Sequence, residues 1–83
     1  MTQDEAIAQI RDVLHADFKV PKEKVTPEAT FRGTLGMDSL DAVDLIYLLG
    51  KAFGVKTSIE GFKDLHSVRQ VADHIVKLKS AQA

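Results

Sequence analysis

Cysteine is absent from this 83-residue chain, and the absence removes several kinds of chemistry at once. No disulfide framework can staple the fold, no thiolate can hold a metal, and no protein sulfur can carry a covalent intermediate. Aromatic residues make up only 6% of the sequence, so the core must be built from Leu, Ile, Val and Ala. Basic residues are too few and too scattered for a nucleic-acid footprint: 11 Lys and Arg stand against 12 Asp and Glu. The start, Met1-Thr2-Gln3-Asp4-Glu5, has neither the basic nor the apolar region of a signal peptide. No apolar run approaches membrane-spanning length. These absences lead to the expectation of a cytoplasmic protein with no membrane span and no nucleic-acid partner.

What is present is enough for one core. Hydrophobic content of 45% excludes wholesale disorder, and the length allows a single domain. A domain of this size buries only roughly 60% of the surface that its unfolded chain exposes. Residues 1–79 are assigned to that domain, with residues 80–83 as a frayed tail.

Helical signals dominate. Thr2 and Glu5 fit a capping box, and Ile7, Ile10, Val13, Leu14 and Phe18 recur at helical spacing, predicting a first helix that ends near Ala16 to Phe18. Pro21 and Pro27 then interrupt the pattern. A single turn fits Pro21 to Lys24, with Val25 tucked beneath the first helix. The loop from Lys19 to Met37 is long for a small domain and needs side-chain pins, for which Phe31 and Leu35 are the candidates. The second helix is predicted from Asp38 or Ser39 to Phe53, with Gly54 as its left-handed terminator. Val55 to Ile59 reads as an extended linker, and Glu60 to Leu65 as a short helix. Ser67 with Gln70 opens a final helix carrying Val68, Val71, Ala72, Ile75 and Leu78. The expected fold is all-α: a small four-helix bundle of three main helices and one short one, with a long first loop.

The second helix has two apolar lines. Ile46, Leu49 and Phe53, flanked by Leu45 and Leu48, suit a core face. Leu40, Val43 and Tyr47 make a separate line, fringed by Asp41 and Asp44. A helix with a second apolar face is either central to its domain or has that face meant for something else. Gly50 inside this helix costs roughly 1 kcal/mol relative to Ala. It either permits close packing or marks an early end.

Ser39 has two readings. Most Ser or Asp residues before an apolar helix are N-caps, yet Asp38 can do that work alone. A serine freed from capping at a helix N-terminus is well placed to carry a phosphate-linked group. A hydrolase is disfavoured, because no Gly-x-Ser-x-Gly elbow surrounds Ser39, and His15, His66 and His74 show no relay spacing. They are expected at the surface, with no metal site among them.

The segment Leu35-Gly36-Met37-Asp38-Ser39-Leu40-Asp41 resembles the phosphopantetheine-attachment motif of acyl carrier proteins, whose core is Gly-x-Asp-Ser-Leu. The resemblance spans nearly the whole chain, taking in the first helix, the anchors Val25 and Phe31, the helix ending at Phe53, and Leu65-His66-Ser67-Val68. It implies 4′-phosphopantetheine from coenzyme A on Ser39, beside Asp38, installed by a separate phosphopantetheinyl transferase in a Mg²⁺-dependent reaction. It further implies acyl thioesters on the arm's thiol, presented by a non-enzymatic, monomeric carrier to enzymes that load, condense or modify acyl groups in fatty acid, polyketide or specialised lipid synthesis. Asp38, Leu40, Asp41, Val43, Asp44 and Tyr47 become candidates for partner docking. Ile46, Leu49, Ile59, Phe62, Leu65 and Val68 become candidates for an acyl cavity, against the alternative of an ordinary packed core. An aminoacyl or peptidyl carrier is the nearest rival, although Asp38 stands where many of those have His. An unmodified helical interaction module is the other.

The chain also departs from that pattern. Gly50-Lys51-Ala52 and Arg32-Gly33-Thr34 stand where acidic residues are usual, and Lys56 and Lys63 dilute the next segment. The expectation is a weaker or displaced negative patch, and a carrier dedicated to a special pathway.

Overall fold

Thr2 starts the first helix as the sequence predicts. In the computed structural model, which describes residues 1–82, α1 spans Gln3–Phe18. Thr2 Oγ1 accepts the Glu5 N–H at 3.2 Å, and Glu5 Oε1 accepts the Thr2 N–H at 3.0 Å, completing the capping box. The backbone bond from Thr2, reinforced by its hydroxyl, holds the Glu5 carboxyl below its ordinary value of 4.5. Ala6, Ile7, Ile10 and Leu14 form the buried face, and Lys19 terminates the helix in the left-handed region at φ 58°.

The long loop is stitched down rather than loose. A 3-10 turn covers Lys22–Lys24. Val25 lies buried beyond it, and its carbonyl accepts Arg11 Nε and Nη2 at 3.3 and 3.1 Å. Further on, Phe31 N–H donates to His66 O at 3.1 Å, while Val68 and Arg69 N–H groups donate to Ala29 O and Pro27 O at 2.9 Å each. Thr30 and Ser67 thus form an antiparallel bridge. Phe31 is buried and Leu35 half-buried, as anticipated. Met37 is buried as well, a third pin that the sequence reading passed over.

The second helix, α2 (Ser39–Phe53), buries Leu45, Leu49 and Phe53. Its core line is therefore centred on Leu45, and Ile46, assigned to that line from sequence, is only half-buried. Gly54 ends the helix at φ 68°, its N–H donating to Gly50 O. Gly50 is explained by close approach. A β-carbon there would stand 2.8 Å from Thr57 Oγ1 and 3.1 Å from Val55 O, because the chain turns back across this turn of α2.

The short helix α3 covers Ile59–Phe62, one residue earlier than predicted and without Lys63 to Leu65. Ser58 sets the start, its Oγ accepting the Gly61 N–H at 3.1 Å. The linker is consequently shorter than expected, and Ile59 belongs to the helix. The last helix, α4 (Val68–Gln82), opens with the predicted pairing: Ser67 Oγ accepts the Gln70 N–H at 3.2 Å and Gln70 Oε1 accepts the Ser67 N–H at 3.1 Å. α4 continues to Gln82. There the side-chain amide holds Lys56, accepting its N–H at 2.7 Å and donating to its carbonyl at 3.2 Å. Ala83 lies outside the described residues.

The main helices enclose one apolar core. α1 packs chiefly on α4 and also on α2, while α3 leans on α2. Every fully buried side chain among the described residues is apolar. Ile10, Leu14, Leu49 and Ile75 are nearly inaccessible, each contributing about 1.5–3 kcal/mol through burial. The expected all-α bundle with its long first loop is the fold observed.

Candidate cofactor-attachment site

The loop enters α2 through Gly36, whose φ of 65° is open to glycine at little cost. The turn carries Met37 into the core and leaves Asp38 at the N-cap. Asp38 Oδ1 accepts the Asp41 N–H at 2.9 Å, and Asp41 Oδ2 faces the Asp38 N–H at 3.5 Å. Two carboxylates therefore serve the first turn, and they also suit the positive end of the helix dipole.

Ser39, the first residue of α2, takes no part in this cap. Its side chain is exposed. Its hydroxyl oxygen accepts one bond, from Arg32 Nη2 at 2.7 Å. The Asp38 cap is legible in the sequence; the contact of Arg32 with Ser39 is not. The one available signal was a cation seven residues upstream on a loop that must turn back toward the helix.

Leu40, Val43 and Tyr47 stand on one face of α2, exposed by 78%, 42% and 64%. Asp44 is exposed beside them. Asp41 is half-buried next to this face. Its carboxylate is turned into the cap, and it borders a small depression shared with Phe18, Lys19 and Met37. At the other end of the strip, Lys51 Nζ sits 5.5 Å from the centroid of the Tyr47 ring, a cation–π distance.

On the neighbouring side of α2, a partly open groove of about 670 Å³ runs from Ser39 and Arg32 toward α3 and the start of α4. Ile46, Leu49, Ile59, Phe62 and Leu65 line it. Val68 does not. It is fully buried where its backbone meets Ala29, and Val71 one turn later faces the groove instead. Phe62 packs edge-on against His74, with centroids 4.7 Å apart, so His74 is half-buried rather than a surface residue. Among the described residues, no group of three or more His, Asp or Glu side chains is placed to hold a metal ion. No described helix is long and apolar enough to cross a membrane.

An exposed, uncommitted serine at a helix start, beside a cation and an apolar groove, defines a scaffold suited to a covalently attached anionic arm. The family model for the phosphopantetheine attachment site matches residues 8–75. Curated relatives named acyl carrier protein align over almost their whole length. That of Rubrobacter xylanophilus is 35% identical over 98% of this chain and 100% of its own. That of Thermosynechococcus vestitus is 39% identical over 90% and 93%, and that of Syntrophobacter fumaroxidans 36% over 94% and 99%. The chain belongs to the acyl carrier protein family of phosphopantetheine-bearing proteins. Its cofactor is accordingly 4′-phosphopantetheine, covalently held. The residues present fit that group: a hydroxyl for the ester, a guanidinium for the phosphate charge, and adjacent apolar space.

Proposed function

We propose that Ser39 is the attachment residue, and that the chain carries acyl groups for enzymes of a cytoplasmic biosynthetic pathway while catalysing nothing itself. The observation that carries the reading is the division of labour at the start of α2: Asp38 and Asp41 satisfy the helix terminus, leaving Ser39 Oγ exposed and outside the cap. In the loading step, Ser39 Oγ would attack the pantetheine-bearing phosphorus of coenzyme A, and adenosine 3′,5′-bisphosphate would leave. The hydroxyl proton passes to a base of the transferase. When bound, the cofactor supplies the thiol that this cysteine-free chain lacks, and with it a reactive, easily reached thioester.

The chain's own surfaces suit the remaining tasks. Leu40, Val43 and Tyr47 with Asp44 form the proposed docking face for apolar and basic groups on the transferase and on enzymes that load, condense or modify the acyl group. Exposed charges there act mainly on encounter rate, and the effect fades with salt. The groove beside α3 is proposed to shelter the acyl chain. Lys51 at the end of the strip supports partners differing from those of a uniformly acidic carrier, hence a dedicated pathway.

Intact mass tests the assignment. Incubation with coenzyme A, Mg²⁺ and a broad-specificity transferase should add one phosphopantetheinyl group to the wild type and none to Ser39→Ala. An unchanged wild-type mass would sink the proposal and leave an unmodified interaction module.

A further inference from the structure

We infer that Arg32 is a built-in counter-ion for the phosphodiester on Ser39, fixing the base of the arm at the mouth of the groove. The inference rests on Ser39 being the attachment residue. It starts from the 2.7 Å bond from Arg32 Nη2 to Ser39 Oγ. Esterification removes the hydroxyl proton and leaves a poor acceptor at Oγ, but it places anionic phosphoryl oxygens one bond further out. A guanidinium already directed at Oγ meets them with a planar fork suited to phosphate.

Three features make this more than a chance surface contact. Among the described residues Arg32 makes no ion pair. Its position is held from both sides. Buried Phe31 donates its N–H to His66 O at 3.1 Å and accepts the Met37 N–H at 2.8 Å. Thr30 and Thr34 exchange backbone-to-hydroxyl bonds of 3.1 Å in each direction. Gly33 is part of that arrangement, since a β-carbon there would lie 2.6 Å from Thr30 Oγ1. Finally, Arg32 and Ser39 border the same groove, which Val43 also lines, whereas Leu40 and Tyr47 do not. Pairing with Arg32 therefore holds the root of the arm at the groove.

Phosphorus NMR of the loaded protein tests this without any activity measurement. Wild type, Arg32→Ala and Arg32→Lys are loaded, and intact mass confirms loading. An exposed ion pair of this kind favours the paired state by about twofold to fivefold. The wild-type phosphodiester resonance should be displaced and broadened relative to Arg32→Ala, and Arg32→Lys should recover only part of the displacement. About 1 M salt should largely abolish the difference. In the wild type, the Arg32 Nε–Hε signal should also move on loading. Identical phosphorus shifts and widths in fully loaded wild type and Arg32→Ala would overturn the inference and leave the carrier assignment standing. Failure of the wild type to load would overturn both.

Discussion

Thr57 Oγ1 donates to Ile46 O at 3.0 Å from a position only 2.8 Å from where a β-carbon on Gly50 would lie. The two residues need each other: the missing side chain of one gives room for the hydroxyl of the other. Gly50→Ala would gain about 1 kcal/mol in helix propensity, but it must displace Thr57 and press on Val55 O. A net loss of about 1–2 kcal/mol is expected in urea unfolding, from overpacking and the lost bond. In a Thr57→Ala background the loss should shrink, with the Val55 carbonyl as the remaining obstacle.

The two residues at the start of α2 should separate cleanly. Asp38→Ala removes the acceptor for the Asp41 N–H and should cost about 1 kcal/mol of stability. Ser39→Ala removes only an exposed contact with Arg32 and should stay within about 0.5 kcal/mol of wild type. Thermal unfolding of the unloaded proteins compares them. A larger loss at Ser39 would mean that the serine helps to cap and is not free.

Leu49 and Leu40 lie on the same helix with opposite surroundings. Leu49 is 1% exposed and Leu40 78%. Leu49→Ala should cost about 2–5 kcal/mol, as expected for an emptied core position. Leu40→Ala should leave stability within about 0.5 kcal/mol while weakening capture by the transferase, measured as a raised KM for the carrier. Unchanged KM would remove Leu40 from the docking face.

Acid should loosen the N-terminal turn. Because Thr2 lowers the folded-state pKa of Glu5, the ionised carboxylate stabilises the fold at pH values above its unfolded pKa. That contribution is lost as pH falls through the lowered folded value. Helix content followed by circular dichroism below neutral pH should show a component that Glu5→Gln flattens. Equal pH profiles for the two proteins would remove the capping box as its source.

These experiments also divide what the sequence made legible from what it did not. Local rules carried the helix ends: Thr2 with Glu5, Ser67 with Gln70 and Gly54 are signals spanning a few residues, and each stands where it was expected. The apolar lines of α2 were legible too, although choosing Ile46 over Leu45 for the core depended on which side α1 packs. Contacts across the loop were not legible. Val68 and Val71 are equally apolar, and only the pairing of Val68 with Ala29 decides which of them faces the groove. Asp41 was read as a surface charge, although it stands three residues after the Asp38 cap, the same spacing as Thr2 with Glu5. Arg32 reaches Ser39 only because Phe31 and the Thr30–Thr34 pair set the angle of the intervening chain.

The bonds at the end of α4 carry a mechanical consequence. Lys79 Nζ donates to Phe53 O at 2.7 Å, and the Gln82 amide grips Lys56 by both backbone groups. The chain leaving α2 is thus riveted for its first few residues. Any widening of the groove must pivot beyond Thr57, with α3 swinging as a small leaf held by Ser58 at one end and by Phe62 against His74. Amide exchange should accordingly be slower at Lys56 than at Gly61, and Gln82→Ala should erase that difference by unpinning the hinge.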